Sequence, residues 1–545
     1  MALAAAAFGA AALPAEGTAD AAFRALLLPD DSCLAWAPGD APAPQAAPVL
    51  VEGLGTAGLE PDSANREARA WFAQGVRLIW AFDEVEAIRA FQQAQRADPN
   101  CAMCFFGEAW ARGPTINLQP RTDQLVAARA AARRAVALSG NLGARDKVLV
   151  RAMEIRTRDG DAFAGAAYAS FMESAALRMP ADDTLSIMAA DARMVDSDDM
   201  HPGSLSQRLL ERVLARNPEH GGAIHYYIHL TDWIDQQHLA VPHAERLGRI
   251  APAASHLVHM PSHTFYGVGR YRDAAAVNVA AIAADRSYVR RVAPPASAYR
   301  TGLLAHDMHF AIESALARGD GATALDVSRQ FRAVYMGEGA DARARVLGSA
   351  TYYAQGLHGE IDAVLAMAEP AAALDKAMRL YARGEALARR GDAGGIRVEI
   401  AALSALRAGP DAPGLGRSGA RLAEIAQHVL EGRAAMLGGD YPAAERFYRQ
   451  AMEAQLAADF GMDPPLFWYS VRRSLAAALL AGGDHERARA QLYVSLRRWP
   501  NDAPALVALA QADRALGDTA SADRNLARAR AIWAGDPARL ALPLI

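Results

Sequence analysis

Cysteine is scarce, with Cys33, Cys101 and Cys104 the only three in 545 residues. An odd count this small excludes a disulfide framework as the source of stability. Aromatic residues make up only 7% of the chain and β-branched residues are sparse, whereas alanine dominates. That balance argues against a β-rich fold and for helix, where alanine is the cheapest residue to place. No charge of one sign accumulates: 57 Lys and Arg face 61 Asp and Glu, for a net charge of −4. Without a basic stripe, nucleic acid is not an expected partner. No apolar run reaches the roughly 18–20 residues that span a bilayer. Residues 2–13 are apolar and run into Leu13-Pro14-Ala15-Glu16, as the core and cleavage site of a secretory signal would, yet the first basic residue is Arg24. If residues 1–15 are a signal remnant, the protein is periplasmic or secreted; otherwise it is cytoplasmic.

What is present is a period. Gly483-Asp484, Ala488 and Leu492 recur 34 residues later as Gly517-Asp518, Ala522 and Leu526. A 34-residue period with small residues at positions 8, 20 and 27, a large one near 24 and proline near 32 resembles the tetratricopeptide repeat, a pair of antiparallel helices. Residues 68–101 match it best, with Trp71, Gly75, Leu78, Ala87, Phe91, Ala94 and Pro99 in frame. Repeats starting at 425, 469 and 503 match as well, with Gly432, Ala444 and Tyr448 in the first, Ala476 and Pro500 in the second, and Ala510 and Ala529 in the third. The expectation is an all-α, tetratricopeptide-like helical-hairpin solenoid with a concave groove. Its divisions are an N-terminal arm at 1–64, repeats at 65–186, histidine-rich repeats at 187–330, helical repeats and a loop at 331–417, and C-terminal repeats at 418–545.

Eleven of the 14 histidines lie between His201 and His309. The repeat frame can be set without them. Pro252 starts one repeat at Gly221, Ala274 and Ala281 start the next at Ser255, and Ala324 starts a third at Ala305, after an insertion containing Pro294-Pro295. Positions 2, 5 and 9 of a first helix share one face. In this frame they are filled by His225 and His229, by His256, His259 and His263, and by His306, His309 and Glu313. Chance would place roughly 0.2 histidines in nine such slots. One repeat earlier, Asp191 takes position 5.

Imidazoles one helical turn apart chelate a metal, and a set this large provides for one or two ions. The HExxH pattern of zinc proteases is absent, since Tyr226 and Met260 follow His225 and His259. Thiolates are missing near the cluster and carboxylates are few. A nitrogen-rich set ranks copper first, then iron, then zinc. The ligand candidates are therefore His225, His229, His256, His259, His263, His306 and His309. Glu313 and Asp191 are candidates for proton transfer or ligand orientation, and Tyr266 and Asn117 for substrate contact. Tyr226 and Tyr227 lie off the histidine face and are expected to pack, and Pro261 is expected to kink its helix. Cys101-Ala-Met-Cys104 stays open between two buried helix residues, a disulfide and a soft-metal thiolate pair.

The runs HYYIH (225–229) and HLVHMPSH (256–263) with the following GRY, together with DPNCAMC (98–104) and GPTIN (113–117), resemble a group of large bacterial tetratricopeptide proteins over residues 65–330. That resemblance implies the fold and, for many members, export. The functional expectation is a metal-dependent, oxygen-using oxidoreductase acting on a small molecule or peptide. The alternatives are a scaffold binding a peptide or protein, a metal-storage or delivery protein that takes up metal through Cys101 and Cys104, and a zinc hydrolase. Flanking repeats offer a surface for a protein partner.

Overall fold

The computed structural model describes residues 47–545 except 118–121, 159, 197–198, 296–297, 338 and 459–463. Residues 1–15, where the signal question lies, fall outside that range, as does Cys33. Among the described residues every regular element is a helix, and successive helices pack as antiparallel hairpins. No described helix is long and apolar enough to cross a membrane. The chain is a tetratricopeptide-like helical solenoid.

The first hairpin shows why these residues pair. Helices Arg66–Trp80 and Glu84–Ala97 close on Phe91, whose ring fills the space that a Cβ on Gly75 or Gly107 would need. The same division of small and large residues joins Gly432 to Tyr448 in the hairpin of helices Gly416–Leu437 and Tyr441–Ala458. The Gly-Asp signature is a turn with two functions. Gly319, Gly483 and Gly517 have positive φ, and the aspartates after them accept from the backbone N–H groups of Thr323, Arg487 and Ser521 to cap the next helix.

The three histidine-bearing hairpins lie where the repeat frame puts them. They are Gly221–Trp233 with Gln237–Ile250, the divided helix Ser255–His259 and Pro261–Gly267 with Tyr271–Val292, and Ala298–Ala317 with Gly321–Tyr335. The helix is interrupted at Met260, just before Pro261, which lacks the N–H that would continue it. The inserted residues extend the second helix to Val292 and lengthen the start of the next, which begins at Ala298, with Pro294-Pro295 between the two.

Two apolar clusters run along the stack. One extends from Val51 to Phe310 and includes Trp499; the other extends from Ile282 to Ile545. Residues 47–64 are extended and lie across the repeats. Val51 N–H donates to Gln74 Oε1, Gly53 accepts from Ala253 N–H, and Ala57 accepts from Trp80 Nε1. The far end of the solenoid returns to the middle: Asn501 Nδ2 donates to the Gly269 carbonyl at 3.0 Å and Ala534 N–H to that of Arg318 at 2.8 Å.

Candidate metal centre

Six of the seven histidines meet as two triads, His225 with His229 and His256, and His259 with His263 and His306. In each triad the candidate ligand atoms lie within 4.8 Å of one another. The triads adjoin: the His256 and His259 rings stack with centroids 5.8 Å apart, and His229 and His263 are 6.0 Å apart. The histidine face is not an open groove lining, because all of these residues except His306 are buried. Phe82 covers the first triad, 4.2 Å from the His225 ring, and Phe310 covers the second, 5.0 Å from His263.

Hydrogen bonds fix where the ring protons sit. His225 Nδ1 is 2.6 Å from the Trp80 carbonyl, which can only accept, so Nδ1 carries the proton and Nε2 the lone pair. Helix Gly221–Trp233 comes this close because Gly222 has no Cβ; one there would sit 2.6 Å from the Trp80 ring. In the second triad, Asn278 Nδ2 donates to the Ala274 carbonyl at 2.8 Å, which turns its Oδ1 toward His259 Nδ1 at 2.6 Å. Asp307 Oδ1 is 3.1 Å from the same nitrogen. His259 is therefore protonated on Nδ1 too, with its Nε2 lone pair inward.

These lone pairs face other Nε2 atoms. His225 Nε2 has His256 Nε2 and His229 Nε2 both at 3.1 Å, and one lone pair cannot serve two donors well. His259 Nε2 stands 3.0 Å from His263 Nε2, while Asp232 Oδ2, 3.4 Å from His263 Nδ1, draws that ring's proton to the far side. Protonation offers no relief. Burial, reinforced by neighbouring imidazoles, holds His229, His256, His259 and His306 well below the usual imidazole range, and His225 is pushed down to about 3. A tetrahedral ion with bonds of about 2.0–2.1 Å would hold its nitrogens about 3.3–3.4 Å apart. The observed spacings need to open by only a few tenths of an ångström. The residues fit a metal.

The other expected residues are distributed as follows. His309 stands outside both triads, one turn beyond His306, with Nε2 3.8 Å from Glu313 Oε1. Burial pushes His309 down to about 3 and Glu313 well above the usual carboxylate range. Asp191 is buried near Arg156, Tyr226 and Glu84 instead of against a triad, and burial pushes it up to about 7. Asn117 does reach the site, its Nδ2 3.4 Å from His229 Nε2. Tyr266 is packed against Phe310, Tyr271 and Trp499. Tyr226 is buried, and the Tyr227 hydroxyl donates to Glu211. Cys101 and Cys104 form a disulfide, so no thiolate pair stands there to take up metal. Cys101 is the non-helical cap of helix Ala102–Ala111, which lets its sulfur fold back toward Cys104.

Trp80, Phe82, Asp232, Asn278, Asp307 and Phe310 contribute to the site without belonging to the histidine pattern. One was signalled. Asn278 occupies position 24 of the repeat starting at Ser255, a packing position where an amide is out of place.

A cavity of about 30 Å³, enough for one water-sized molecule, borders His256 and Asp307 and is lined also by Asp83, Asp285, Tyr288 and Arg300. Arg300 pairs with both Asp83 and Asp285 there.

No known family's sequence pattern matches the chain, and no curated protein matches it. Among solved structures it is similar to the Naa15/Naa10 complex bound to HypK-THB, at 13% identity over 87% of this chain and 91% of that one, with a TM-score of 0.21. It is also similar to the human IFIT1 dimer with m7Gppp-AAAA, at 12% identity over 79% and 90% with a TM-score of 0.29. The same dimer with PPP-AAAA gives 12% identity over 78% and 89%, with a TM-score of 0.31.

Proposed function

We propose that this protein is an oxygen-using oxidoreductase whose two histidine triads each hold one metal ion, copper in preference to iron or zinc. The observation that carries this reading is the set of inward Nε2 atoms 3.0–3.1 Å apart in a buried, aromatic-walled space. An all-imidazole donor set suits copper, and no carboxylate is among the candidate ligand atoms of either triad. A pair of such ions, when bound, supplies electrons to oxygen.

The chain's own residues do the rest. The Trp80 carbonyl and Asn278 fix the tautomers of His225 and His259, and carboxyl oxygens of Asp307 and Asp232 stand behind His259 and His263 at 3.1 and 3.4 Å. Phe82 and Phe310 each form an apolar wall beside one triad. Asn117 offers an amide N–H beside His229, and the cavity at His256 is sized for a molecule of a few atoms. The Cys101–Cys104 disulfide supports an oxidising compartment such as the periplasm.

The test is oxygen uptake with a panel of small phenolic and peptide reductants, comparing copper-loaded protein, chelated protein and the His259→Ala variant. Uptake that needs metal and is lost in His259→Ala supports the reading. Stoichiometric metal with no uptake on any reductant points instead to storage or delivery. Full activity after chelation would overturn it.

A further inference from the structure

Helix Ala298–Ala317 carries a polar row that the triads do not use. His306, His309 and Glu313 follow at steps of three and four and share one face. Beyond His306 the row leaves the metal centre and enters the second apolar cluster, beside Met308 and Ile312. Glu313 has no exposure there, and neither of its oxygens has a hydrogen-bond partner in the protein. At 3.8 Å, its approach to His309 Nε2 is too long for a direct bond. His306 Nδ1, His309 Nδ1 and Ser314 Oγ are also buried without a partner in the protein.

Four of these atoms, on His306, His309 and Glu313, lie along one helix face and need something to bond. Buried polar groups in native proteins are almost always satisfied, and internal water is what satisfies them when side chains do not. Two groups of helix Ala342–His358 lie near the row: Arg343, whose charge acts on His306 and His309, and Tyr353, on which the charge of Glu313 acts. The Tyr353 hydroxyl is committed to the Leu466 carbonyl at 3.1 Å. The row therefore ends at a carboxyl group inside the core and begins at a candidate metal ligand.

We propose that His306, His309 and Glu313 line a chain of internal waters that conducts protons between the Glu313 carboxyl and the second triad. The waters follow from the row alone; their use in turnover rests on the oxidoreductase reading. Oxygen reduction consumes one proton for each electron that the organic substrate supplies. A proton leaving Glu313 is passed on by each water, which takes one and gives one, so only the carboxyl changes charge. It regains its proton from solvent before the next cycle.

The test is infrared difference spectroscopy of the wild type and Glu313→Gln near neutral pH, in H2O and D2O, with and without copper. The expected result is a carbonyl band of an un-ionised carboxyl that the variant lacks and that shifts within minutes in D2O. Absence of that band, or a band unshifted after a day, would overturn the proposal. Because the metal-free protein gives the same readout, failure to bind copper would sink the functional reading while leaving the row standing. In copper-loaded protein, Glu313→Gln should slow oxygen uptake by about 100-fold with KM nearly unchanged. Uptake equal to wild type would remove the proton-delivery role. If Glu313→Gln does not fold, a crystal structure of the wild type decides: ordered waters bonded to Glu313 and His309 Nδ1 support the proposal, and a dry row overturns it.

Discussion

Phe82 occupies a position that glycine holds in the sister turns. Gly319, Gly483 and Gly517 each precede a capping aspartate with positive φ; before Asp83 stands Phe82, at φ 55°. A bulky side chain in this region costs about 1–3 kcal/mol, and its ring is what covers the first triad. Phe82→Ala should lose about 3–5 kcal/mol of ring packing while keeping the strained turn. Phe82→Gly loses the same ring but relaxes the turn, so it should be the more stable variant by about 1 kcal/mol. Urea unfolding of both measures the difference, and Phe82→Ala proving the more stable would contradict the strain. At Asn278 the effect is on affinity. Without its carbonyl, His259 is freed to take the other tautomer, and Asn278→Leu should weaken copper binding roughly 10–100-fold. A competition titration against a chelator checks it; unchanged affinity would show that Asp307 alone orients the ring.

Helices legible in the sequence were those whose period is carried by packing residues. The 34-residue frame put seven histidines on one face, and the structure brings six of those together in two triads. His309 could not be separated in advance, because a shared face does not say how far along its axis a helix remains against its neighbours. Trp80 and Phe82 were illegible for a related reason: they act through a backbone carbonyl and a turn, neither of which the first-helix face describes, whereas Asn278, on a second helix, was marked only by an amide at a packing position. The helix scale also sets the response to pH. His225, His229, His256, His259, His306 and His309 are depressed by burial, so the unfolded chain takes up protons first. Their contribution to stability is complete above about pH 6.5 and is lost as the pH falls below it, down to about 3 for His225 and His309. Raised carboxyls act in the opposite sense. Asp191, pushed up to about 7, stabilises the fold below its ordinary range near 4 and loses that contribution as the pH rises to about 7. Glu313 opposes the histidines in the same way, so Glu313→Gln should steepen the fall in Tm between about pH 6.5 and 4 in metal-free protein. A slope no steeper than wild type would mean that Glu313 is ionised in the fold.

The whole molecule closes on its own middle. Trp499 lies 6.2 Å from Tyr266, whose ring adjoins Phe310, so the C-terminal repeats back the wall of the second triad. The contact depends on Gly269, at φ 75°, where an added Cβ would lie 2.0 Å from the Pro500 carbonyl oxygen. Gly269→Ala should part these surfaces at a cost of about 1 kcal/mol or more. Hydrogen exchange should then rise in helices His485–Arg498 and Ala503–Ala515 while helix Gly221–Trp233 keeps its protection. Unchanged exchange at residues 499–501 would show that the closure does not depend on this turn. No repeat signature announces such a return, because a 34-residue frame describes neighbours in the stack and not the contacts made when the stack curls back. What the inward imidazole nitrogens hold can be read by anomalous diffraction from crystals grown with copper. Two peaks per chain are expected, one bonded to His225, His229 and His256 and the other to His259, His263 and His306. A map without a peak at either triad, from protein that is folded and copper-saturated in solution, would contradict that expectation.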